Sequence, residues 1–262
     1  MNVYLMVDAE GISGIYSPEQ VMETGNRRAE SRAYMTGDIN ACVEACKEAG
    51  CEKVYVRDCH GGANTLLFEQ ITPLADYVIM GRTGSDRFVG LEDCDAVILL
   101  GYHAKAGTPG AVLEHSMSSK SIMNYTVNGV VFGETAIDAA IVGERGIPVI
   151  MVSGDDKLCA EAKEFLPWAV GCEVKKGVTW GGGMLLPQAR AHALIKEKTK
   201  EAIARFAEMK PFEIQHPVTM RIELIERGIL PSEYSKPYMR IIDGRTYEID
   251  ADTMEEALYR AH

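Results

Sequence analysis

The sequence predicts an α/β fold, a sheet with a strand-end metal site covered by helices, plus a smaller C-terminal α+β domain. Three observations predict it. Short apolar runs recur at residues 3–7, 53–58, 96–102 and 148–152, and the last two are continuous rather than alternating. Strands covered on both faces by helices read that way. Longer stretches with helical spacing lie between the runs. The first three runs also stop at chemistry, in Asp8 and Glu10, His60 and His103. Open parallel sheets bind ligands at the carboxyl ends of their strands, where loops converge.

Taken in order, the strand at 3–7 runs into Gly11 and a loop with Ser13-Gly14 and Pro18. A helix follows over 26–49, with apolar beats at Ala29, Ala33, Ile39, Ala41, Val43 and Ala45, and Gly50 closes it. The strand at 53–58 leads to Cys59-His60-Gly61-Gly62, and a short one at 77–80 precedes Gly81. Residues 123–127 and 130–132 flank Asn128-Gly129, the dipeptide that best signals a tight hairpin. A helix spans 134–144. After the strand at 148–152, Gly154-Asp155-Asp156 opens another helix, with an aspartate as N-cap. Residues 172–175 read as a strand and Trp180-Gly181-Gly182-Gly183 as a flexible loop. That loop lacks the Gly-Lys-Ser/Thr of a phosphate cradle. A long helix covers 187–209. Lys210-Pro211 marks a boundary between a catalytic domain, 1–210, and an appendage, 211–262, with strands at 218–225 and 247–249.

Composition narrows the function classes. The chain has 262 residues, 47% hydrophobic and 25% charged, ordinary for a soluble globular protein. A formal net charge of −11 argues against nucleic acid or an anionic membrane as partner. The apolar start is too short for a signal-peptide core or a membrane span. Seven cysteines without a secretory signal read as reduced thiols and place the protein in the cytoplasm. Cys42, Cys46 and Cys51, on or just after one helix, fit small buried hydrophobes. No Cys-x-x-Cys pair offers a thiolate zinc site.

The candidate chemistry is a set of acids and imidazoles. In extended chain Asp8 and Glu10 share a face, and carboxylates at a buried strand end need hydrogen bonds, cations or metal. Read alone, Asp8 is equally a helix cap and Glu10 a solvated acid. With His60 and His103 they make a donor set suited to zinc or another first-row divalent ion. Glu134, after Gly133, is the further acid; its plain alternative is a first-turn residue favoured by the helix dipole. His115 is open to three readings: an additional ligand, a general acid or base, or a solvated loop residue. Ser116 beside it lacks a nucleophile-elbow pattern. His192, His216 and His262 have no acidic neighbours in sequence and read as structural or exposed.

Asp8-x-Glu10-Gly11, Asp58-x-His60, Gly101-Tyr102-His103-Ala104 with Thr108-Pro109-Gly110, His115-Ser116, Gly133-Glu134 and Gly154-Asp155-Asp156 occur in this order. The set closely resembles the bacterial zinc-dependent D-aminopeptidase family, over most of residues 1–165 and more weakly beyond. The resemblance implies two zinc ions (Zn2+) per subunit held by Asp8, Glu10, His60, His103 and Glu134, with His115 matching the family's catalytic histidine. It also implies a homo-oligomer, a decameric ring, acting on short peptides with N-terminal D-residues such as D-Ala. One departure stands out: Arg57-Asp58-Cys59-His60, where Asn-Asp-Ser-His is expected. Two alternatives remain open, a related peptidase or amidase acting on L,D-peptides from murein and a catalytically silent metal-binding module.

Overall fold

The structure is a computed structural model that describes residues 1–261. Its first part comprises β1 (Val3–Val7), α1 (Pro18–Val21), α2 (Arg28–Glu48), β2 (Val54–Asp58), β3 (Tyr77–Ile79), β4 (Ala96–Leu100), β5 (Ile122–Val127), β6 (Val130–Phe132) and α3 (Glu134–Glu144). It continues through β7 (Val149–Asp155), α4 (Asp156–Phe165), β8 (Val170–Thr179), β9 (Gly182–Leu185), α5 (Gln188–Ala204), β10 (Val218–Leu224), β11 (Met239–Ile241), β12 (Thr246–Ala251) and α6 (Met254–Ala261). Among the described residues no helix is long and apolar enough to cross a membrane.

Two sheets result. The larger has the order β3-β2-β1-β4-β7-β8-β9, parallel except for the β8–β9 pair. The smaller is antiparallel, in the order β11-β12-β10-β5-β6. β1 lies inside the larger sheet, and every residue from Val3 to Val7 is buried. Its alternating side chains divide between two cores. Val3, Leu5 and Val7 pack with Ile39 and Cys42 of α2 and Ile195 of α5. Tyr4 and Met6 pack in the cluster that holds Ile137 of α3 and Ile222 and Ile249 of the smaller sheet. This continuous apolar cover keeps the strands parallel and leaves only their carboxyl ends for polar groups.

Two glycines bring the exits of β1 and β4 together. A Cβ on Gly11 would lie 1.8 Å from the Tyr102 carbonyl oxygen. Gly101 adopts φ +75°, and a Cβ there would lie 2.4 Å from the Asp8 carbonyl oxygen. Any side chain would push Asp8 and His103 apart.

The expected hairpin forms with the tightest turn, Asn128 at φ 48° and Gly129 at φ 88°, both left-handed as a type I′ turn needs. Its strand β5 pairs with β10, so residues 218–251 share their sheet with the middle of the chain. Other boundaries differ from the sequence reading. The glycine-rich stretch after Trp180 is the turn and return strand of a β8–β9 hairpin, not a flexible loop. α5 ends at Ala204 and a single 3-10 turn, Phe206–Glu208, follows. β11 and α6 have no counterpart in the sequence reading.

Candidate metal centre

The fold gathers all six residues singled out from the sequence. Asp8 and Glu10 leave β1, His60 follows β2, His103 follows β4, His115 sits on the next loop and Glu134 is the first residue of α3. His103 Nε2 lies 3.3 Å from Asp8 Oδ2 and 3.2 Å from Glu134 Oε1, aligned for a hydrogen bond with neither. His60 Nε2 lies 3.4 Å from Glu10 Oε1, and His115 Nε2 lies 3.7 Å from Glu134 Oε1. The rings of His103 and His115 stack with centroids 4.0 Å apart.

Each imidazole is oriented through its other nitrogen. Nδ1 of His103 faces the Ala104 carbonyl at 3.1 Å, Nδ1 of His115 the Leu113 carbonyl at 2.9 Å, and Nδ1 of His60 the Thr65 hydroxyl at 3.1 Å. A carbonyl accepts only, so in His103 and His115 Nδ1 carries the proton and Nε2 turns to the acids. Metal-ligating histidines are oriented in this manner.

Burial opposes the charged form throughout the cluster, and the groups offset it mutually. Asp8 is pushed up by burial and then by the Glu10 charge. Burial would raise Glu10 too, but the His60 charge outweighs it and holds that carboxyl well below the carboxylate range. Against its own burial, Glu134 is drawn down to about 2 by His103 and then His115. Burial would lower His60, yet the Glu10 charge lifts it to about 9. His103 is raised well above its ordinary value by Glu134 and Asp8 in spite of burial.

The donor chemistry fits divalent metal. Two triads, Asp8/Glu10/His103 and His103/His115/Glu134, each offer ligand atoms within 4.8 Å of one another, with His103 common to both. Glu10 Oε2 is buried without a hydrogen-bond partner, as is His103 Nε2. A divalent cation can take the place of the imidazole protons. His60 belongs to neither triad and reaches the group through Glu10. A cavity of about 560 Å³ opens over these residues.

Four residues brace the site, and the first two, Asp138 and Lys175, went unread in the sequence. Asp138 lies one turn along α3 from Glu134 and is fully buried. It accepts two bonds from Arg87, at 2.5 and 2.9 Å, and one from the Tyr102 hydroxyl at 2.6 Å. Its i, i+4 spacing from Glu134 was the available signal. Lys175, in β8, is buried, and its ammonium donates to the carbonyls of Glu10 at 2.5 Å, Ile12 at 2.9 Å and Ile15 at 2.6 Å. Burial pushes Lys175 down to about 7, while three carbonyl acceptors favour its charged form. Asp58 accepts from the amides of His60, Thr65 and Leu66, which fixes the His60 loop. Asp155 is the expected N-cap of α4, accepting from the Lys157 and Leu158 amides, and it also accepts from Val112 on the His115 loop.

The remaining histidines lie elsewhere. His192 and His216 do meet acids, which other elements supply: Asp38 at 3.2 Å and Glu144 at 3.6 Å. Both remain apart from the six-residue cluster, and His262 lies outside the described residues.

The chain is similar to known proteins over nearly its whole length. A family model described as D-aminopeptidase matches residues 1–261. A D-aminopeptidase of Bacillus subtilis (strain 168) is 32% identical over 260 residues, covering 98% of this chain and 94% of that protein. A solved structure of the zinc-dependent D-aminopeptidase DppA from Bacillus subtilis, described as a self-compartmentalizing protease, superposes with a TM-score of 0.93 at 32% identity. That match covers 100% of this chain and 95% of the other.

Proposed function

This chain belongs to the D-aminopeptidase family, and from that premise we propose how its residues carry the reaction. It is a zinc-dependent hydrolase of peptide bonds. In our reading Asp8, Glu10, His60, His103 and Glu134 hold two zinc ions, and the substrate is a short peptide whose N-terminal residue has D configuration, D-Ala foremost. The observation that carries the reading is the pair of donor triads meeting at His103. When bound, zinc supplies a Lewis acid and a water acidified enough to attack a carbonyl near neutral pH.

The protein's own groups do the rest. Asp8, Glu10 and Glu134 bring the negative charge that offsets the bound cations. His115 is held by the Leu113 carbonyl and by its stack on His103, so Nε2 faces the acids in one orientation. From there it holds a proton for the leaving amine or donates to the developing oxyanion. Glu134 Oε1 accepts from the Met117 amide at 2.6 Å, which ties the His115 loop to the start of α3. We further propose a cytoplasmic, closed homo-oligomer, a decameric ring that admits short or unfolded peptides only. Support comes from the self-compartmentalizing description of the related enzyme.

The test combines elemental analysis with turnover. Protein purified without chelator should carry close to two zinc ions per chain and hydrolyse D-Ala dipeptides in preference to L-Ala dipeptides. Glu134→Gln and His60→Ala should each lose at least one ion. Full occupancy in both variants would refute the ligand assignment, and equal turnover of both enantiomers would refute the D preference.

A further inference from the structure

A second cavity, of about 690 Å³, adjoins the metal centre; Cys59, Gly61 and Arg87 line both. In a chain with net charge −11 its wall is cationic, carrying Arg57, Arg82, Arg87, Lys236 and Arg260. Glu255 is the one acid on that wall, and it is already engaged by Arg145 at 2.6 Å and by the Arg87 amide at 2.8 Å. Arg87 is committed to Asp138, and Arg260 pairs with Glu256 at 2.6 Å. Among the described residues Arg57, Arg82 and Lys236 have no carboxylate partner.

Arg57 is the telling member. It is only 7% exposed, yet its guanidinium meets neutral acceptors alone, the Gly81 carbonyl at 2.9 Å and the Thr83 hydroxyl at 3.1 Å. Its Nε–H is buried with no acceptor. A buried guanidinium without a counter-ion is costly, and an anion is the group that would complete it. Arg57 and Cys59 alternate with Asp58 along the chain, so they share one face of the strand and its exit. Their separation is two residues, roughly 7 Å, which an extended peptide covers in about two residues. Met6, Leu258 and Tyr238 give the same cavity apolar wall for small side chains.

We infer that this cavity binds the C-terminal carboxylate of the short peptide whose amino end lies at the metal centre. Arg57 is its principal cation, with Arg82 and Lys236 flanking. The inference rests on the aminopeptidase reading, and it makes Arg57 a determinant of peptide length. Arginine forks suit carboxylates, and Arg57 presents one on the cavity wall.

The experiment uses zinc-loaded protein and a D-alanyl tripeptide with a reduced, non-hydrolysable first bond, ending either in a carboxylate or in a carboxamide. Calorimetry should show wild type binding the acid at least tenfold more tightly, as expected for a charge-assisted contact. Arg57→Gln should erase the ratio, while Arg57→Lys, keeping charge but not the fork, should retain part of it. Lys236→Gln should reduce the ratio in a protein whose buried strand is untouched. Equal binding of acid and amide by wild type, failure of both to bind, or a ratio unchanged in Arg57→Gln and Lys236→Gln would overturn the inference. If inorganic phosphate binds at Arg57 while acid and amide tie, the cavity holds a free anion and the peptide assignment falls. Should the acid preference hold in a protein that hydrolyses neither D- nor L-peptides, the subsite stands and the aminopeptidase reading fails instead.

Discussion

Replacing Lys175 with methionine tests whether the acid-bearing loop after β1 is held from below. The side chain is buried, and all three ammonium protons go to carbonyls of residues 10, 12 and 15. Methionine keeps the aliphatic volume and removes every donor. The Ile12 carbonyl keeps the Ile15 amide at 3.2 Å. A buried acceptor left unpaired costs about 1–3 kcal/mol, so the Glu10 and Ile15 carbonyls lose roughly 2–6 kcal/mol between them. Removing a buried ammonium returns several kcal/mol of desolvation. We expect a net loss of about 3 kcal/mol, a drop in Tm of roughly 6–12 °C for a chain of this size. Because one bond ends on the Glu10 carbonyl, the variant should also bind zinc roughly 10–100-fold more weakly, as when outer partners of metal ligands are removed. The assays are differential scanning calorimetry of zinc-loaded protein and competition with a metallochromic chelator. A Tm within 2 °C of wild type together with unchanged zinc affinity would refute the argument.

His115→Ala should keep its zinc and oligomeric state but lose roughly a hundred- to ten-thousand-fold in kcat; loss of zinc would make His115 a ligand, consistent with its place in a donor triad. Asp138→Ala leaves Arg87 and Tyr102 without their shared acceptor, and should cost about 3–5 kcal/mol by chemical denaturation; a change under 1 kcal/mol would count against that network. Light scattering at micromolar concentration should give a large closed assembly, and a monomer would exclude the ring.

What could be read from sequence was what depends on local pattern. The continuous apolar runs that became β4 and β7 announced strands covered on both faces, and chemistry at the ends of β1, β2 and β4 followed from the geometry of parallel sheets. Asn128-Gly129 fixed its own turn. The rest depends on partners far along the chain. Asp138 looks like any helix acid until Arg87 is placed beside it, and Lys175 reads as one more strand lysine until the loop of residues 10–15 folds over it. His192 finds Asp38 across 154 positions of chain numbering, so no local scan could pair them. The stretch after Trp180 lacks side-chain alternation because glycines occupy positions 181–183, so its strand had no legible period.

The pairing of β5 with β10 sets a timetable for biosynthesis. Met220 is the partner of Val127, and the Thr219 amide donates to the Asn128 side chain across 91 positions. At 5–20 residues per second a ribosome needs roughly 5–20 s to deliver the second strand after the first. Until then the hairpin, with Tyr125, Val127 and Phe132 destined for the core, has no partner for one edge of its leading strand. Glu134 begins directly after that hairpin, so a strand from the last quarter of the chain completes the sheet from which this acid departs.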